Sequence, residues 1–210
     1  AVKAGIKASG NPDLALIECP GCAEAAAVFT RNLVVAAPVT VGRAHLKKSK
    51  GKLRAVLVNA GNANCATGRP GLQAAEKSCE SLAKALGVKG HNVLPSSTGV
   101  IGVPFPVEKL LKSIPALLEA RGDSPDHAMA FARAIMTTDT CPKIAHAELT
   151  VKGMTARLLG VAKGAGMIHP NMATMLSYIV TDVGARGEHL RALIVAAANR
   201  TFNRISIDGD

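Results

Sequence analysis

The chain contains several short stretches in which apolar residues alternate with polar ones or run together, a pattern typical of β-strands. The clearest are rich in Val, Ile, Leu or Ala, and some of them continue into loops of glycine, asparagine and serine. They lie at 14–18, 32–41, 54–64, 92–106 and 175–182. A further stretch, at 147–164, alternates on both sides of Lys152-Gly153 and therefore predicts a β-hairpin.

Other segments place apolar residues three or four positions apart, which is the spacing of one helix face. The segment 71–87 predicts a helix that ends at a glycine. The segment 107–122 predicts a helix that is interrupted near Pro115, because proline has no backbone N–H to donate. Two more helices are predicted over 124–139 and 188–202. Strands and helices mixed in this order indicate a layered α/β or α+β domain.

The composition limits the classes of function. Of the 210 residues, 48% are hydrophobic but only 2% are aromatic, so the core must consist of aliphatic side chains. The net charge is +10, but the basic residues are dispersed except at 45–54, which is expected to be a solvated loop between strands. With few aromatic rings for base stacking, no nucleic-acid partner is predicted. A positive field that attracts anionic metabolites is the favoured interpretation. No apolar run reaches the roughly 18 residues of a membrane span.

The five cysteines are Cys19, Cys22, Cys65, Cys79 and Cys141. An odd number without a secretory signal predicts reduced thiols and an intracellular protein. Cys19 and Cys22 have the spacing of a redox motif or of half a zinc site, but no second such pair follows. Two ordinary thiols are the favoured interpretation, and any role of the pair stays open.

Four loops place glycine beside small hydroxyl or amide side chains. None of them fits a nucleotide-binding motif, and the chain has no G-x-S-x-G nucleophile elbow. Such loops can expose backbone N–H groups next to a hydroxyl, which is what an oxyanion site requires. The loops lie at 59–68, 96–102, 137–140 and 162–166.

The segment KGAGMIHPNMATML at 163–176 places Ala173-Thr174 where a Gly/Pro/Asn loop becomes a strand. A threonine hydroxyl is a weak nucleophile unless a base lies beside it, and a free α-amino group, with a pKa of about 7.7, can be that base. Thr174 would then have to become the first residue of a chain. Its hydroxyl can bring this about by attacking the carbonyl of the small residue Ala173, after which water hydrolyses the ester. From the residues alone, an ordinary loop-to-strand junction is the alternative.

Seven segments spread nearly end to end along the chain match one known family. They are DLALIE, AAAVFTRNLVVAAPV, LRAVLVNAGNANCATG, LPSSTGVIG, AIMTTDTCPK, GVAKGAGMIHPNMATML and TFNRISIDGD. They resemble the ornithine acetyltransferases, also called glutamate N-acetyltransferases, of arginine biosynthesis. So many ordered matches are far more specific than a lone A-T-M-L. The resemblance implies a layered αββα-type sandwich, the fold of DmpA-like N-terminal-nucleophile enzymes.

The resemblance implies that the precursor cuts itself between Ala173 and Thr174. Residues 1–173 would form one subunit, and 174–210 would begin the second. Family members continue well beyond the D-G-D segment, so the chain is expected to be truncated at its C-terminus. The two subunits are expected to stay associated and to pair into a heterotetramer, in the cytoplasm or, in a eukaryote, in the mitochondrial matrix.

The resemblance also implies the reaction. Thr174 would take the acetyl group of N2-acetyl-L-ornithine and pass it to L-glutamate. Thr98 and Gly99 would form the oxyanion hole, and Thr137 and Lys163 would bind the substrate together with Thr174. No cofactor or metal is expected, and acetyl-CoA as an additional donor is left open.

Two other hypotheses stay open. An amidase or aminopeptidase of the same fold would use water in place of glutamate. A non-enzymatic anion-binding or assembly module would account for the positive charge without any chemistry.

Overall fold

The computed structural model describes residues 1–151, 153–168 and 175–207. Within them, strands and helices alternate first and a three-stranded meander follows. The strands are β1 (Leu14–Glu24), β2 (Lys52–Asn62), β3 (Val93–Val100), β4 (Lys143–Val151), β5 (Met154–Lys163) and β6 (Leu176–Thr181). The helices are α1 (Ala37–Lys48), α2 (Gly68–Ala85), α3 (Val107–Glu119), α4 (Pro125–Ala134) and α5 (Gly187–Arg200), with short 3-10 turns at Gly90–Asn92 and Phe202–Arg204.

The first sheet has the order β1-β2-β3, with β1 antiparallel and β3 parallel to β2. Successive side chains of a strand point to opposite faces, so each strand contributes to two different cores. On one face, Leu14 and Leu57 pack with Leu82 of α2 and Leu117 of α3. This face is therefore covered by helices.

The opposite face of the first sheet packs against the second sheet, which has the order β4-β5-β6 and is antiparallel throughout. Val58 of β2 lies in one apolar cluster with Val161 of β5 and Phe131 of α4. The Phe131 ring meets the Tyr178 ring of β6 edge to face, with 5.4 Å between centroids. The result is a helix–sheet–sheet layering, and the layered mixed α/β class is confirmed.

Helix α5 has little of its surface buried. It begins beside Glu24 at the end of β1, and Arg191 donates a hydrogen bond to the carbonyl of Ala27. Ala198 is its buried residue, whereas Leu193 on the predicted apolar face is 64% exposed. No helix in the described part of the chain is long and apolar enough to cross a bilayer.

Most elements predicted from the hydrophobic pattern are present. The strands at 14–18, 54–64 and 175–182 correspond to β1, β2 and β6. The hairpin is confirmed, since Val151 pairs with Met154 in the antiparallel ladder of β4 and β5.

The strand predicted at 32–41 is wrong. Helix α1 begins at Ala37, with Pro38 in its first turn, where proline costs no hydrogen bond. The β-branched residues here favour a strand only weakly, and tertiary packing overrides that preference. The packing is visible in Val41, which is buried with Ala37 against Ala75 of α2. The segment 45–54 is likewise the last turn of α1 and the start of β2, not a loop between strands.

The interruption predicted near Pro115 is also wrong, because α3 runs through it. Pro115 lies on the exposed face of the helix, so the carbonyl that loses its partner there can be hydrated. Leu110, Ile114 and Leu117 on the opposite face are buried in the core. Their burial offsets the cost of the missing hydrogen bond.

Cys19 and Cys22 lie in a bulge of β1. The pairing register with β2 shifts between Glu18 and Ala23, so the C-P-G-C segment is displaced from the ladder. Gly21 has a φ of +74°, a value that suits the turn inside the bulge. All five cysteines are free thiols, which agrees with the predicted reduced state.

Candidate active site

The ends of β2 and β3 approach each other so closely that only glycine fits between them. Gly99 has a φ of 131°. A Cβ atom built on it would lie 2.3 Å from the carbonyl carbon of Gly61 and 2.5 Å from the backbone nitrogen of Asn62. Thr98 beside it is buried and pairs with Ala60 in the parallel ladder. The backbone of Thr98-Gly99 is therefore held in a fixed position.

Buried asparagines hold the loops on both sides of this point. Asn62 donates from Nδ2 to the carbonyl of Val103 at 3.2 Å, and its Oδ1 accepts from the N–H of Asn64 at 2.8 Å. Asn59 accepts a 2.6 Å hydrogen bond from Ser97. The segments 59–68 and 96–102, predicted as loops, thus come together, but 59–62 belong to β2 and 96–100 belong to β3. The buried amides fix the positions of these segments. Sequence reasoning gave them no such role.

Lys163, the last residue of β5, is buried against Thr98. Its Nζ donates to Thr98 Oγ1 at 3.0 Å, although the two residues are far apart in the sequence. An ammonium group has donors only, so the hydroxyl accepts and its own hydrogen is free to point elsewhere. Burial lowers the pKa of Lys163, while the charge of Asp139 opposes this shift and that of Lys143 adds to it.

Asp139 connects the T-T-D-T loop to the end of β5. Its Oδ1 accepts hydrogen bonds from the N–H of Gly164 at 2.7 Å and from Lys143 Nζ at 2.5 Å. Its Oδ2 accepts from the N–H of Thr137 at 3.2 Å. Burial opposes the ionisation of Asp139, but these hydrogen bonds prevail and lower its pKa. Thr137 is therefore joined to the Lys163-Gly164 corner through Asp139, although Thr137 itself is exposed.

The segment that precedes β6 reaches the same corner. Lys163 pairs with Leu176 in the ladder of β5 and β6. A Cβ atom built on Gly164 would lie 3.7 Å from the Cα atom of Met175. The predicted cleavage residues Ala173 and Thr174 lie outside the described residues.

A second lysine lies near this cluster and was missed by sequence reasoning. Lys7 donates from Nζ to the carbonyl of Ala134, at the C-terminal end of α4, at 2.8 Å. Burial lowers the pKa of Lys7, Asp13 and Asp139 oppose the shift, and Lys163 adds to it. The buried carboxylate of Asp13 accepts the N–H of Lys7 at 2.8 Å. No motif in the sequence distinguishes Lys7, and only three-dimensional proximity identifies it.

Comparison with known proteins identifies the family. A model of the ArgJ family matches residues 1–210. The chain belongs to the ArgJ family. It is 50% identical over 210 residues to the arginine biosynthesis bifunctional protein ArgJ of Thermus thermophilus, covering 100% of this chain and 52% of that protein. It is 48% identical over 207 residues to the ArgJ protein of Pseudomonas syringae pv. tomato, covering 99% of this chain and 50% of that protein. The chain thus spans about half the length of the curated relatives it matches.

Two solved structures share the fold of this ArgJ-family chain. The arginine biosynthesis bifunctional protein argJ of Bacillus halodurans has a TM-score of 0.76 and 40% identity, over 82% of this chain and 88% of that one. The ornithine acetyltransferase of Mycobacterium tuberculosis, complexed with ornithine, has a TM-score of 0.69 and 37% identity, over 82% and 90%. The family resemblance read from the sequence and the fold class are confirmed.

Elsewhere, the described surface of the ArgJ-family chain has fewer groups that could bind a ligand or take part in catalysis. A cavity of about 310 Å³ lies against the second sheet and contains neither Thr98 nor Lys163. Its charged groups are already paired, since Arg157 contacts Glu148 at 3.2 Å and Asp182 at 3.7 Å. Within the described residues, no group of three or more Cys, His, Asp or Glu side chains could hold a metal ion. The cluster around Thr98 is therefore the better candidate site.

The close approach at Gly99 leads to a stability prediction. Gly99→Ala should lower the free energy of unfolding by about 3 kcal/mol, because the methyl group overlaps the backbone of Gly61 and Asn62. Gly102→Ala is the matched control. Gly102 also has a positive φ, of 80°, but has no atom within 4 Å of the built Cβ, so it should lose only about 1 kcal/mol through backbone strain. Urea unfolding of both variants measures the difference, and equal losses would contradict the tight contact.

Proposed function

We propose that the protein to which this chain belongs transfers an acetyl group from N2-acetyl-L-ornithine to L-glutamate through an acetyl-threonine enzyme. The observation that carries the proposal is the buried hydrogen bond from Lys163 to Thr98, formed beside the segments that flank Thr174. The name of the Mycobacterium tuberculosis relative, an ornithine acetyltransferase complexed with ornithine, supports this choice of substrate class.

Self-cleavage between Ala173 and Thr174 is part of the proposal. Met175, the residue that follows the proposed new N-terminus, lies at the corner that holds Lys163, since a Cβ atom built on Gly164 would be 3.7 Å from the Met175 Cα atom. The cut would leave residues 1–173 as one subunit, and residues 174–210 would begin the second.

The proposed chemistry begins with Thr174 in the N-terminal position. Its α-amine takes the proton of its hydroxyl as the oxygen attacks the acetyl carbon. The tetrahedral intermediate collapses when the C–N bond breaks, and ornithine leaves with the proton on its nitrogen. The amine of glutamate then attacks the threonine ester, which gives N-acetylglutamate and restores the free hydroxyl.

The described residues supply electrostatic stabilisation for these steps. The hydroxyl hydrogen of Thr98, directed away from Lys163, and the N–H of Gly99 would donate to the oxyanion. Within the described residues, the Lys163 ammonium uses one of its three donors, in the bond to Thr98. With the exposed hydroxyl of Thr137, its other donors would bind the substrate α-carboxylate. The formal net charge of +10 on this chain would favour the arrival of L-glutamate, which is an anion at neutral pH.

The cycle as proposed requires no metal and no cofactor, since base, nucleophile and oxyanion donors are all protein groups. Acetyl-CoA as an additional donor to glutamate stays a separate prediction. So do the pairing of two-subunit units into a heterotetramer and a cytoplasmic location.

The experiment uses the complete gene product. Intact-mass spectrometry should find two polypeptides separated before Thr174. Incubation with N2-acetyl-L-ornithine should release ornithine only when L-glutamate is present, with N-acetylglutamate formed in equal amount. A parallel reaction with acetyl-CoA in place of acetylornithine tests the second donor. Ornithine release in water alone would indicate the amidase instead, and an uncut protein without acetyl transfer would overturn the proposal.

A further inference from the structure

The carboxylate of Asp139 has no part in the chemistry described above, yet it accepts three hydrogen bonds from described residues at the Lys163 corner. Its side chain is 0% exposed. It accepts from the N–H of Gly164 and of Thr137 and from Lys143 Nζ. A buried charge is costly unless it is well paired, so these contacts specify the position of the carboxylate closely.

Two of those donors, the N–H groups of Gly164 and Thr137, come from segments that meet the proposed site. Gly164 directly follows Lys163, and Thr137 opens the T-T-D-T loop. Gly164 has a φ of +142°, a conformation that only glycine adopts readily, and the hydrogen bond to Asp139 holds its N–H there. The carboxylate thus fixes the turn by which the chain leaves β5 toward the proposed cleavage bond.

The polar and charged groups around Lys163 come from several elements of the fold. Asp139 and Thr98 face it from the T-T-D-T loop and from β3, Lys143 from the start of β4, and Lys7 from the N-terminal segment. Asp13 offers its carboxylate to backbone N–H groups near Lys7. Among these, Asp139 is the negative charge that raises the pKa of Lys163, and the positive charge of Lys143 acts against it.

We propose that Asp139 is a positioning residue of the acetyl-transfer site, which fixes the Lys163-Gly164 corner from which Lys163 donates to Thr98. This inference rests on the proposed function. The physical reason for the proposal is the direction of the hydrogen bond between Lys163 and Thr98. A charged Lys163 can only donate, so the Thr98 hydrogen stays available for the oxyanion, whereas a neutral amine could accept that hydrogen and remove it from the site.

The central variant is Asp139→Asn, which keeps the size of the side chain and removes its charge. Burial and Lys143 already lower the pKa of Lys163, and Asp139 opposes them. Without the carboxylate, Lys163 should lose its proton at lower pH. The alkaline limb of the kcat/KM profile should therefore move down by about one pH unit, and acidification should restore part of the activity.

Lys143→Gln should shift the pH profile in the opposite direction. Lys143 lowers the pKa of Lys163, so its removal should move the same limb to higher pH. The shift should be the smaller one, because the Lys143 side chain is 42% exposed and its charge is screened by solvent. A merely structural role of Asp139 predicts loss of activity in both variants without opposite shifts. Asp123→Asn, at an exposed position, is the control for the charge change and should leave the profile in place.

A direct titration separates this inference from the proposed function. The complete protein is labelled with [13Cε]lysine, and the Lys163 signal is identified by its loss in Lys163→Met. Its titration should move to lower pH in Asp139→Asn and to higher pH in Lys143→Gln. If these shifts occur in a protein that transfers no acetyl group, the proposed function fails while the link between Asp139 and Lys163 stands. An unchanged Lys163 titration in Asp139→Asn would overturn the inference, whatever the activity.

Discussion

With Thr174 replaced by alanine, the complete gene product is expected to remain a single polypeptide and to transfer no acetyl group. Alanine lacks the hydroxyl that both steps require, first for attack on the carbonyl of Ala173 and then for attack on the acetyl group. Removal of a catalytic nucleophile costs about four to six orders of magnitude in rate. Intact-mass spectrometry and the glutamate-dependent release of ornithine measure the two losses separately.

Thr174→Ser is the matched control for this variant. Serine keeps the hydroxyl, so cleavage before position 174 and part of the acetyl transfer should survive, at reduced rates. A cut at the same bond in Thr174→Ala would show that another group performs the cleavage. Permanent acylation of the free Thr174 amine gives a second check, because it leaves the hydroxyl but removes the proposed base. Acetyl transfer by a protein blocked in this way would contradict the mechanism.

The sequence predicts those parts of the fold that depend on local pattern. Alternation on both sides of Lys152-Gly153 gave the hairpin of β4 and β5, and helical spacing at 71–87 gave α2. Where tertiary packing determines the local structure, the hydrophobic pattern predicted the wrong element. The β-branched residues after Ala37 lie in a helix because that helix packs on α2, and Pro115 is tolerated because it faces solvent. Neither fact can be read from a window of neighbouring residues.

The candidate site was predictable only as a set of separate loops. The family resemblance indicated Thr98, Gly99 and Lys163, and the structure brings these three together at the ends of β3 and β5. It could not indicate that Lys163 donates to the Thr98 hydroxyl, since that contact joins residues 65 positions apart. The T-T-D-T motif contains Asp139, but the motif alone indicates no role for it. The hydrogen bond from Gly164 to Asp139 depends on how this loop folds back on β5.

The hydrogen bond between Lys163 and Thr98 predicts the second large effect. Thr98→Val preserves the shape of the side chain but removes the hydroxyl, so kcat should fall by about 10²–10³-fold, the usual cost of one oxyanion-hole donor. KM should change little, because the proposed interaction forms only when negative charge develops on the acetyl oxygen. Steady-state kinetics on the cleaved protein gives both values. Thr98→Ser, which keeps the hydroxyl, should retain most of the activity.

The same substitution leaves the Lys163 ammonium buried without its partner, which by itself costs about 1–3 kcal/mol of stability. Urea unfolding must therefore accompany the kinetics, and a double-mutant cycle with Lys163→Met separates the two contributions. If Lys163 acts by orienting the Thr98 hydroxyl, then adding Lys163→Met to Thr98→Val should lower kcat much less than it does in the parent protein. Fully additive losses in kcat would mean that lysine and threonine act independently, and the orienting role of Lys163 would be wrong.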